Sequence, residues 1–504
     1  MVKLRRYPCD SEDSLINRGL YINGEFVEAS DGLTLDVLNP HDGTVLAVVA
    51  EGGPEDIDRA VRAARRAFPS WSKTSSADRG RLLLRLADLI EANAEELARL
   101  ESVDTGHPLR DTSGLDVPRT IATFRYFGGM ADKFEGFLPP VDTGFLNYVT
   151  HEPIGVVGQI VPWNFPLMFC GWKLGPALAA GNAVVMKPSE LVPLTTLRLC
   201  ELIADAGFPA GVVNVVPGYG ASAGAQLASH LDVGKISFTG STVTGRAIVG
   251  MSTGNLKRLQ LELGGKGANI VFDDANLTAA VNGAAFAIFH NQGQACIAGS
   301  RLILHEAIAE EFIERFVALA RSIRIGNPLD PETEMGPLTS AQHRQRVLDY
   351  VQIALEQGGE LLTGGHALDD STLADGFYVE PTVMRAKVTD RVSQEEVFGP
   401  FVTVTTFRDD DEALEIANAT EYGLGSGLWT KDLARAHRVA RSLQAGMVWI
   451  NCYKRVGPSS PFGGIGHSGY GREMGFAAMH EYTELKSVWL NVDAEIPAWY
   501  PRPS

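Results

Sequence analysis

The chain has 504 residues, 45% of them apolar and 21% charged, the balance of a soluble globular protein, and its length requires two or three domains. Its 44 Lys and Arg against 61 Asp and Glu leave a formal net charge of −17. That charge argues against nucleic acid or an anionic membrane surface as the main partner, since both need basic faces. Five cysteines (Cys9, Cys170, Cys200, Cys296 and Cys452) show no C-x-x-C and no ladder of short spacings. A disulfide framework or a zinc site is therefore not expected; no metal is assigned, and a reducing cytoplasm is the expected location. No apolar run follows Arg5 and Arg6, and no stretch approaches the roughly 18 uncharged apolar residues of a membrane span, so neither a secretory signal nor a membrane anchor is expected.

Short strand-like pieces, Leu20–Ile22 and Thr44–Val49, open the chain. A helix begins at Pro54-Glu55-Asp56, with proline and acids where a helix start favours them, and runs to about Phe68. A second spans about Asp78 to Leu100, with Leu82, Leu86, Leu89, Ile90 and Leu97 as its apolar stripe. From about Ile154 to Phe272 short apolar runs alternate with helical stretches. The predicted strands are Gly155–Val161, Ala183–Met186, Val212–Val216, Lys235–Phe238, Arg258–Glu262 and Asn269–Phe272. The predicted helices are Leu167–Ala179, Leu194–Ala206, Ala223–Ser229 and Gly245–Met251, with Gly207 as a stop. This alternation points to an α/β fold with a Rossmann-like, doubly wound parallel sheet, whose ligand lies beyond the carboxyl ends of the strands. A second α/β region follows from about Asn276 to Ser460, with helices near Glu306–Ile323 and Gln342–Gln357 and apolar runs at Phe401–Thr406 and Gly446–Ile450. Phe137–His151 and Tyr482–Val492 read as isolated strands, suited to a small β element that completes a sheet in another subunit or pairs as a hairpin within the chain.

Two strand ends run into glycine-rich turns. Gly218-Tyr219-Gly220-Ala221-Ser222-Ala223-Gly224 is one residue off the dinucleotide fingerprint, and Thr239-Gly240-Ser241-Thr242 places small residues at a helix start. Either turn alone is more often ordinary strand–helix punctuation; together they raise the nucleotide reading. At a third strand end, Lys187-Pro188-Ser189-Glu190 offers a lysine for a ribose hydroxyl or phosphate. A carboxylate at Glu190 would repel a 2′-phosphate, which favours NAD while leaving NADP open.

The chemistry-bearing residues are Cys296, in Asn291-Gln292-Gly293-Gln294-Ala295-Cys296, and Glu262, in Gln260-Leu261-Glu262-Leu263-Gly264-Gly265. A thiol among polar and small residues is unlike a core strand, and a carboxylate between leucines is costly to bury unless paired or neutral. Together they suit a covalent enzyme with a separate general base. Asn164, in Pro162-Trp163-Asn164-Phe165-Pro166, can offer its amide to an oxyanion.

With these residues the chain resembles the aldehyde dehydrogenase superfamily from about residue 20 to residue 490. The shared motifs occur in the family's order: Pro-Trp-Asn-Phe-Pro (162–166), Lys-Pro-Ser-Glu (187–190), Phe-Thr-Gly-Ser (238–241), Leu-Glu-Leu-Gly-Gly-Lys (261–266), Gly-Gln-Ala-Cys (293–296), Glu-Glu-Val-Phe-Gly-Pro (395–400) and Ser-Pro-Phe-Gly-Gly (460–464). The resemblance implies that Cys296 is the nucleophile, Glu262 the general base and Asn164 an oxyanion donor. It implies a dinucleotide held by Ile160, Pro162, Trp163, Lys187, Ser189, Glu190, Gly220, Gly224, Phe238, Gly240, Ser241, Leu263, Glu396 and Phe398, with Glu396 on the nicotinamide-side ribose. The substrate pocket is assigned to Phe165, Phe169, Trp172, His290, Ala295, Ile297, Val456 and Phe462. The implied domains are a cofactor domain (1–133 and 153–263), a catalytic domain (264–465) and an oligomerisation element (134–152 and 480–504). A homo-oligomer, dimer or tetramer, is the implied assembly.

The implied reaction is NAD-dependent oxidation of an aldehyde to a carboxylic acid through a cysteine thiohemiacetal and thioester; acyl-transferring relatives generally lack the carboxylate found here at Glu262. The aromatic residues point to a medium-sized aliphatic or aromatic aldehyde, with a semialdehyde or amino-aldehyde (betaine aldehyde type) as the alternative. A non-catalytic binding or structural protein on the same fold is the alternative of another class. Several departures bear on the substrate. His290 stands six residues before Cys296, where many relatives carry an aromatic residue, and reads as a hydrogen-bonded structural histidine. Trp172 replaces an arginine common in semialdehyde-acid enzymes, which weighs against, without excluding, a substrate with a distal carboxylate. Lys454 and Arg455 place positive charge at the tunnel mouth or simply on the surface, and Phe476 stands where some relatives have a second internal acid.

Overall fold

The computed structural model describes residues 16–368, 373–496, 499 and 500. Cys9, the Arg5-Arg6 pair and the ends of the domain ranges at 1–15 and 501–504 lie outside the described residues.

An eight-stranded sheet carries the first part of the chain. Five of its strands are parallel, in the spatial order Arg258–Glu262, Lys235–Thr239, Val156–Ile160, Ala183–Lys187, Val213–Val215. The first strand of this unit is central and the order runs outward on both sides, the doubly wound arrangement. Val156–Ile160, Ala183–Lys187 and Lys235–Thr239 are buried at every position because helices cover both faces, and their β-branched runs suit that setting. A seven-stranded, mainly parallel sheet forms the second layer system, built on Thr382–Arg385, Phe401–Phe407, Arg301–His305, Ala268–Val271, Gly425–Trp429 and Met447–Ile450.

The structure departs from the sequence reading in several places. Ala268–Val271, expected near Asn269–Phe272 as the last strand of the first unit, belongs to the second sheet, between Arg301–His305 and Gly425–Trp429. The helix expected from Asp78 to Leu100 is two helices, Ser76–Ala92 and Ala94–Thr105. Asn93 breaks them: its backbone leaves helical geometry at φ −113° and ψ 21°, and its Nδ2 donates to Leu89 O at 2.7 Å beside its own N–H. A further helix, Val117–Met130, lay unread behind Pro118, which sits in its first turn. Phe145–Pro153 and Thr483–Asn491 pair with each other within this chain as a two-stranded antiparallel sheet, and their separation in sequence rules out the expected hairpin turn.

Two features of the packing position the site. The helix Pro166–Ala179 is buried along its whole length. Its first turn is held by Glu101, whose Oε1 accepts from Leu167 N at 3.2 Å while Oε2 accepts from the Thr195 hydroxyl at 2.5 Å. Near the chain end, Gly469–Tyr470 adds antiparallel to Arg258–Glu262, with Gly469 opposite Glu262. The segment around residues 460–475 is thereby folded over the carboxyl end of that strand.

Candidate active site

Ile160, Lys187, Phe238 and Glu262 stand at the carboxyl ends of neighbouring strands: Ile160 is in register with Lys187 and Phe238, and Thr239 with Glu262. Past this row the chain turns through Pro162-Trp163-Asn164 on one strand and Gly240-Ser241 on the next. Ser241 caps the helix Thr242–Met251, its Oγ accepting from Thr244 N at 3.2 Å. Only glycine fits at 240, where a Cβ would lie 2.4 Å from the Phe238 ring.

Cys296 follows an unusual turn. Asn291, Gln292 and Gly293 are left-handed in succession, at φ 54°, 54° and 70°. Side-chain hydrogen bonds hold this conformation: Gln292 Nε2 donates to Gly106 O at 3.1 Å, and Gln294 Oε1 accepts from Thr339 N at 3.0 Å. A Cβ at residue 293 would lie 1.9 Å from Gly399 O, and one at 265 would lie 2.4 Å from Cys296 O. The thiol is half-buried. Burial first, then the carboxylates of Glu396 and Glu262, push its pKa up to about 12, so the resting group is a thiol that needs a base and a stabilising neighbour.

Asn164 is clamped beside it. Its Nδ2 donates to Gln294 O at 2.9 Å, and its backbone carbonyl accepts from Asn291 Nδ2 at 2.8 Å. One of the two amide protons of Asn164 is used in this way, which leaves the second for a reacting oxygen.

Glu262 is buried, and neither carboxylate oxygen has a hydrogen-bond partner. Burial foremost, with the charge of Glu473 adding to it, holds its pKa well above the usual carboxylate range; Lys173 and Arg472 act the other way. Room for the carboxylate depends on Gly463, where a Cβ would lie 2.7 Å from Glu262 Oε1. Lys173 and Glu473, both fully buried, pair at 2.5 Å and share Ser237 Oγ. The acid whose charge acts on Glu262 is thus Glu473, while Phe476 is exposed and packs on Phe134 at 5.1 Å.

All the residues assigned to the substrate pocket, Phe165, Phe169, Trp172, His290, Ala295, Ile297, Val456 and Phe462, line one cavity with Cys296. Met168, Phe286 and Arg119 complete it, and so does Lys454. Lys454 is not at the surface: it is 4% exposed, its Nζ has no hydrogen-bond partner, and it lies 5.9 Å from the Phe286 ring centre. Burial lowers its pKa to about 7. Arg455 is exposed. His290 is not the hydrogen-bonded structural residue expected. Both ring nitrogens lack a partner, and the ring stacks on Phe165 at 6.2 Å between Phe286 and His107. Its pKa is held well below the usual range, by burial and then by Lys454, so the ring is neutral. Nothing in the sequence marks Arg119 or Phe286 as tunnel residues, since both lie on helices from other parts of the chain.

Of the residues assigned to a dinucleotide, Ile160, Lys187 and Phe238 stand side by side on the strand-end row. Lys187 Nζ donates to Gly218 O at 2.7 Å and to Glu190 Oε2 at 3.2 Å. Gly220 has open space where a Cβ would stand, and a Cβ at 224 would lie 3.6 Å from the Lys187 stem. Trp163 meets Phe398 edge-on at 5.3 Å, and Phe398 is held at φ 65° with its carbonyl 2.6 Å from His343 Nε2. Glu396 comes from the second sheet: its Oε1 accepts from Gly265 N at 2.9 Å, and Gly264 leaves 2.4 Å between a Cβ position and Oε2. Ile160, Phe238 and Leu263 are buried, and Leu263 packs where residue 245 has no side chain. Ser189 differs, because it is buried and its Oγ accepts from Leu191 N at 3.2 Å. Strand ends, a capped helix start, a lysine with a carboxylate and a second carboxylate against glycine backbone fit an extended dinucleotide.

Comparison with known proteins gives the same direction. The model of the aldehyde dehydrogenase family matches residues 26–488. PnpE from Pseudomonas sp. WBC-3 is 69% identical, with a TM-score of 0.96 over 97% of this chain and 100% of its own, and PnpE has also been solved in complex with nicotinamide adenine dinucleotide. The mitochondrial aldehyde dehydrogenase of Sus scrofa is 48% identical over 94% of this chain and 91% of its own. The betaine aldehyde dehydrogenase of Bacillus subtilis is 45% identical over 96% of this chain and 100% of its own.

Proposed function

The chain belongs to the aldehyde dehydrogenase family, and from that premise we propose that it uses NAD to oxidise an aldehyde bearing a distal anionic group, releasing the acid by hydrolysis. Lys454 carries the substrate part of this reading. A buried ammonium without a partner is costly, and the tunnel that holds it also holds Arg119 and is otherwise walled by aromatic and aliphatic side chains. A carboxylate at the far end of a medium-sized aldehyde would meet both cations while its chain packs on Phe169, Trp172 and Phe462. This favours the semialdehyde alternative over an uncharged aldehyde, and disfavours a quaternary ammonium substrate, which would meet like charge.

The proposed chemistry assigns Cys296 Sγ, its proton passed to water, to attack the aldehyde carbon, forming a thiohemiacetal alkoxide whose oxygen is held by the free amide proton of Asn164 and the Cys296 backbone N–H. Bound NAD supplies the hydride acceptor. The chain is then left with a thioester on Cys296. Glu262 takes a proton from water, which attacks the thioester carbon and returns the thiol with release of the acid. Lys187 and Glu190 would hold the ribose of NAD, and the Glu190 carboxylate disfavours a 2′-phosphate. Glu396 and Phe398 would hold the nicotinamide end.

The reading extends to assembly, domains and location. A cofactor domain and a catalytic domain correspond to the two large sheets, and the Phe145–Pro153 and Thr483–Asn491 pair, which exposes Leu485, Trp489 and Leu490, would join copies of the chain in a dimer or tetramer. Cys170, Cys296 and Cys452 form no disulfide among the described residues, in keeping with a cytoplasmic location, and no helix among the described residues is long and apolar enough to cross a membrane.

The test is kcat/KM for NADH formation with neutral, amino- and carboxy-aldehydes of matched length, for the wild type and Lys454→Met. Carboxy-aldehydes should lead the panel, and the variant should lose about 10- to 100-fold on them, as one charge-assisted hydrogen bond predicts, with a smaller loss on neutral aldehydes. A lead by neutral aldehydes with equal losses would overturn the substrate assignment. No turnover with any aldehyde would leave the non-catalytic binding reading.

A further inference from the structure

We propose that His107, Asp111 and His290 form a site for a divalent transition-metal cation in the wall of the substrate tunnel, and that its occupancy blocks aldehyde oxidation. One ligand atom from each residue lies within 4.8 Å of the other two. His107 Nε2 is 3.7 Å from Asp111 Oδ2, and the two imidazoles stand 5.3 Å apart and nearly perpendicular, at 79°. Neither His107 Nε2 nor either nitrogen of His290 has a hydrogen-bond partner, although His107 is 1% and His290 9% exposed. Buried nitrogens in native structures are otherwise almost always satisfied.

Behind the first of these ligands, Asp116 is fully buried with Oδ2 2.7 Å from His107 Nδ1. A carboxylate close to the far ring nitrogen is the kind of support that metal-binding histidines characteristically have. Bond lengths of about 2.0–2.2 Å to nitrogen and carboxylate oxygen require the three atoms to close by roughly an ångström, within the reach of side-chain rotation. Two imidazoles and one carboxylate suit Zn²⁺ or Co²⁺, and leave a coordination position open. Of the three residues only His290 lines the cavity with Cys296, so a cation drawn to it stands in the cavity wall and fixes a ring that the aldehyde must pass.

Lys454 and Arg119 line the same cavity and oppose a cation, while Asp111 and Asp116 offset them. This opposition separates the site from the proposed substrate assignment, on which it does not rest. Lys454→Met removes one repelling charge and should tighten metal binding at least several-fold, whereas the same change weakens carboxy-aldehydes.

The experiment titrates the chelator-treated, NAD-loaded enzyme with ZnCl₂ for inhibition and with CoCl₂ for visible d–d absorption. One cation per subunit, EDTA-reversible inhibition competitive with aldehyde, and a Co²⁺ spectrum that persists in Cys296→Ser are expected. Asp111→Asn and His107→Gln should each weaken Co²⁺ binding about 10- to 100-fold. Asp111 is only partly buried, so its conservative variant carries the test if His107→Gln does not fold. Loss of the spectrum in Cys296→Ser would make the thiol the ligand and overturn the site. Unchanged binding in Asp111→Asn, or no saturable binding at all, would overturn it equally.

Discussion

Lys173 Nζ and Glu473 Oε1 lie 2.5 Å apart, 300 residues distant in the chain and both fully buried. Ser237 ties the pair to the sheet, donating to Gln260 Oε1 at 3.2 Å and to Glu473 Oε1 at 3.3 Å. Their charges act on Glu262 in opposite senses, Glu473 raising and Lys173 lowering its pKa. The proposed base is therefore set by a buried ion pair as well as by its own burial.

Lys173→Met should cost roughly 3–5 kcal/mol of stability, because it strands the Glu473 carboxylate away from water. Urea unfolding monitored by tryptophan fluorescence measures it. The double variant Lys173→Met/Glu473→Gln should recover much of that loss. A single variant as stable as the wild type would show that water reaches the pair.

Glu262→Gln should keep the first burst of NADH and slow steady-state production by about 10²–10⁴, the usual contribution of a positioned base. Stopped-flow absorbance separates the phases. If both phases fall together, Glu262 also draws the proton from the Cys296 thiol. In the wild type the raised pKa means that the base form is lost as pH falls through a value above the ordinary carboxylate range. The hydrolytic step should therefore titrate there rather than near the model-peptide value of about 4.3.

Lys454 supplies a second pH dependence with the opposite sign. Burial lowers its pKa from 10.5 to about 7, so its positive charge is full at lower pH and is lost as pH rises through that value. The ratio of kcat/KM for a carboxy-aldehyde to that for a neutral aldehyde of equal length should fall as pH rises above about 7, because kcat/KM follows the ionisation of the free enzyme. A ratio independent of pH in the wild type would remove Lys454 from substrate recognition.

Gly293→Ala should disable the enzyme without touching any reacting atom. The residue sits at φ +70°, and the added methyl would lie 1.9 Å from Gly399 O, so the turn before Cys296 must move. Left-handed strain alone costs about 1–3 kcal/mol, and the clash adds to it. A fall in turnover of at least 10²-fold is expected, with NAD affinity changing less. Alkylation of Cys296 by iodoacetamide, timed against the wild type, reports the displacement of the thiol directly.

The sheet of the first region was legible because its strands are buried on both faces, and burial imposes apolar runs such as Ala183–Lys187 that differ from the neighbouring helices. The reading failed where local signals compete. Asn93 sits inside an otherwise continuous helical pattern and ends it where its backbone leaves helical geometry, while the strand Ala268–Val271 is locally like those before it but pairs in the other sheet. Strand partners are chosen by long-range packing, which no window of residues contains.

By itself the sequence determined the parallel α/β architecture, the family and the residues able to do its chemistry, since turn glycines, strand runs and the Cys296 and Glu262 motifs are local patterns. Only the tertiary structure decided what stands next to them. It buried Lys454 and left its ammonium unpaired beside Cys296 in the tunnel, left His290 without hydrogen-bond partners and brought Glu473 across the chain to Lys173. Charge, desolvation and pairing depend on distances between residues far apart in sequence, so the character of the substrate tunnel appears only once the chain has folded.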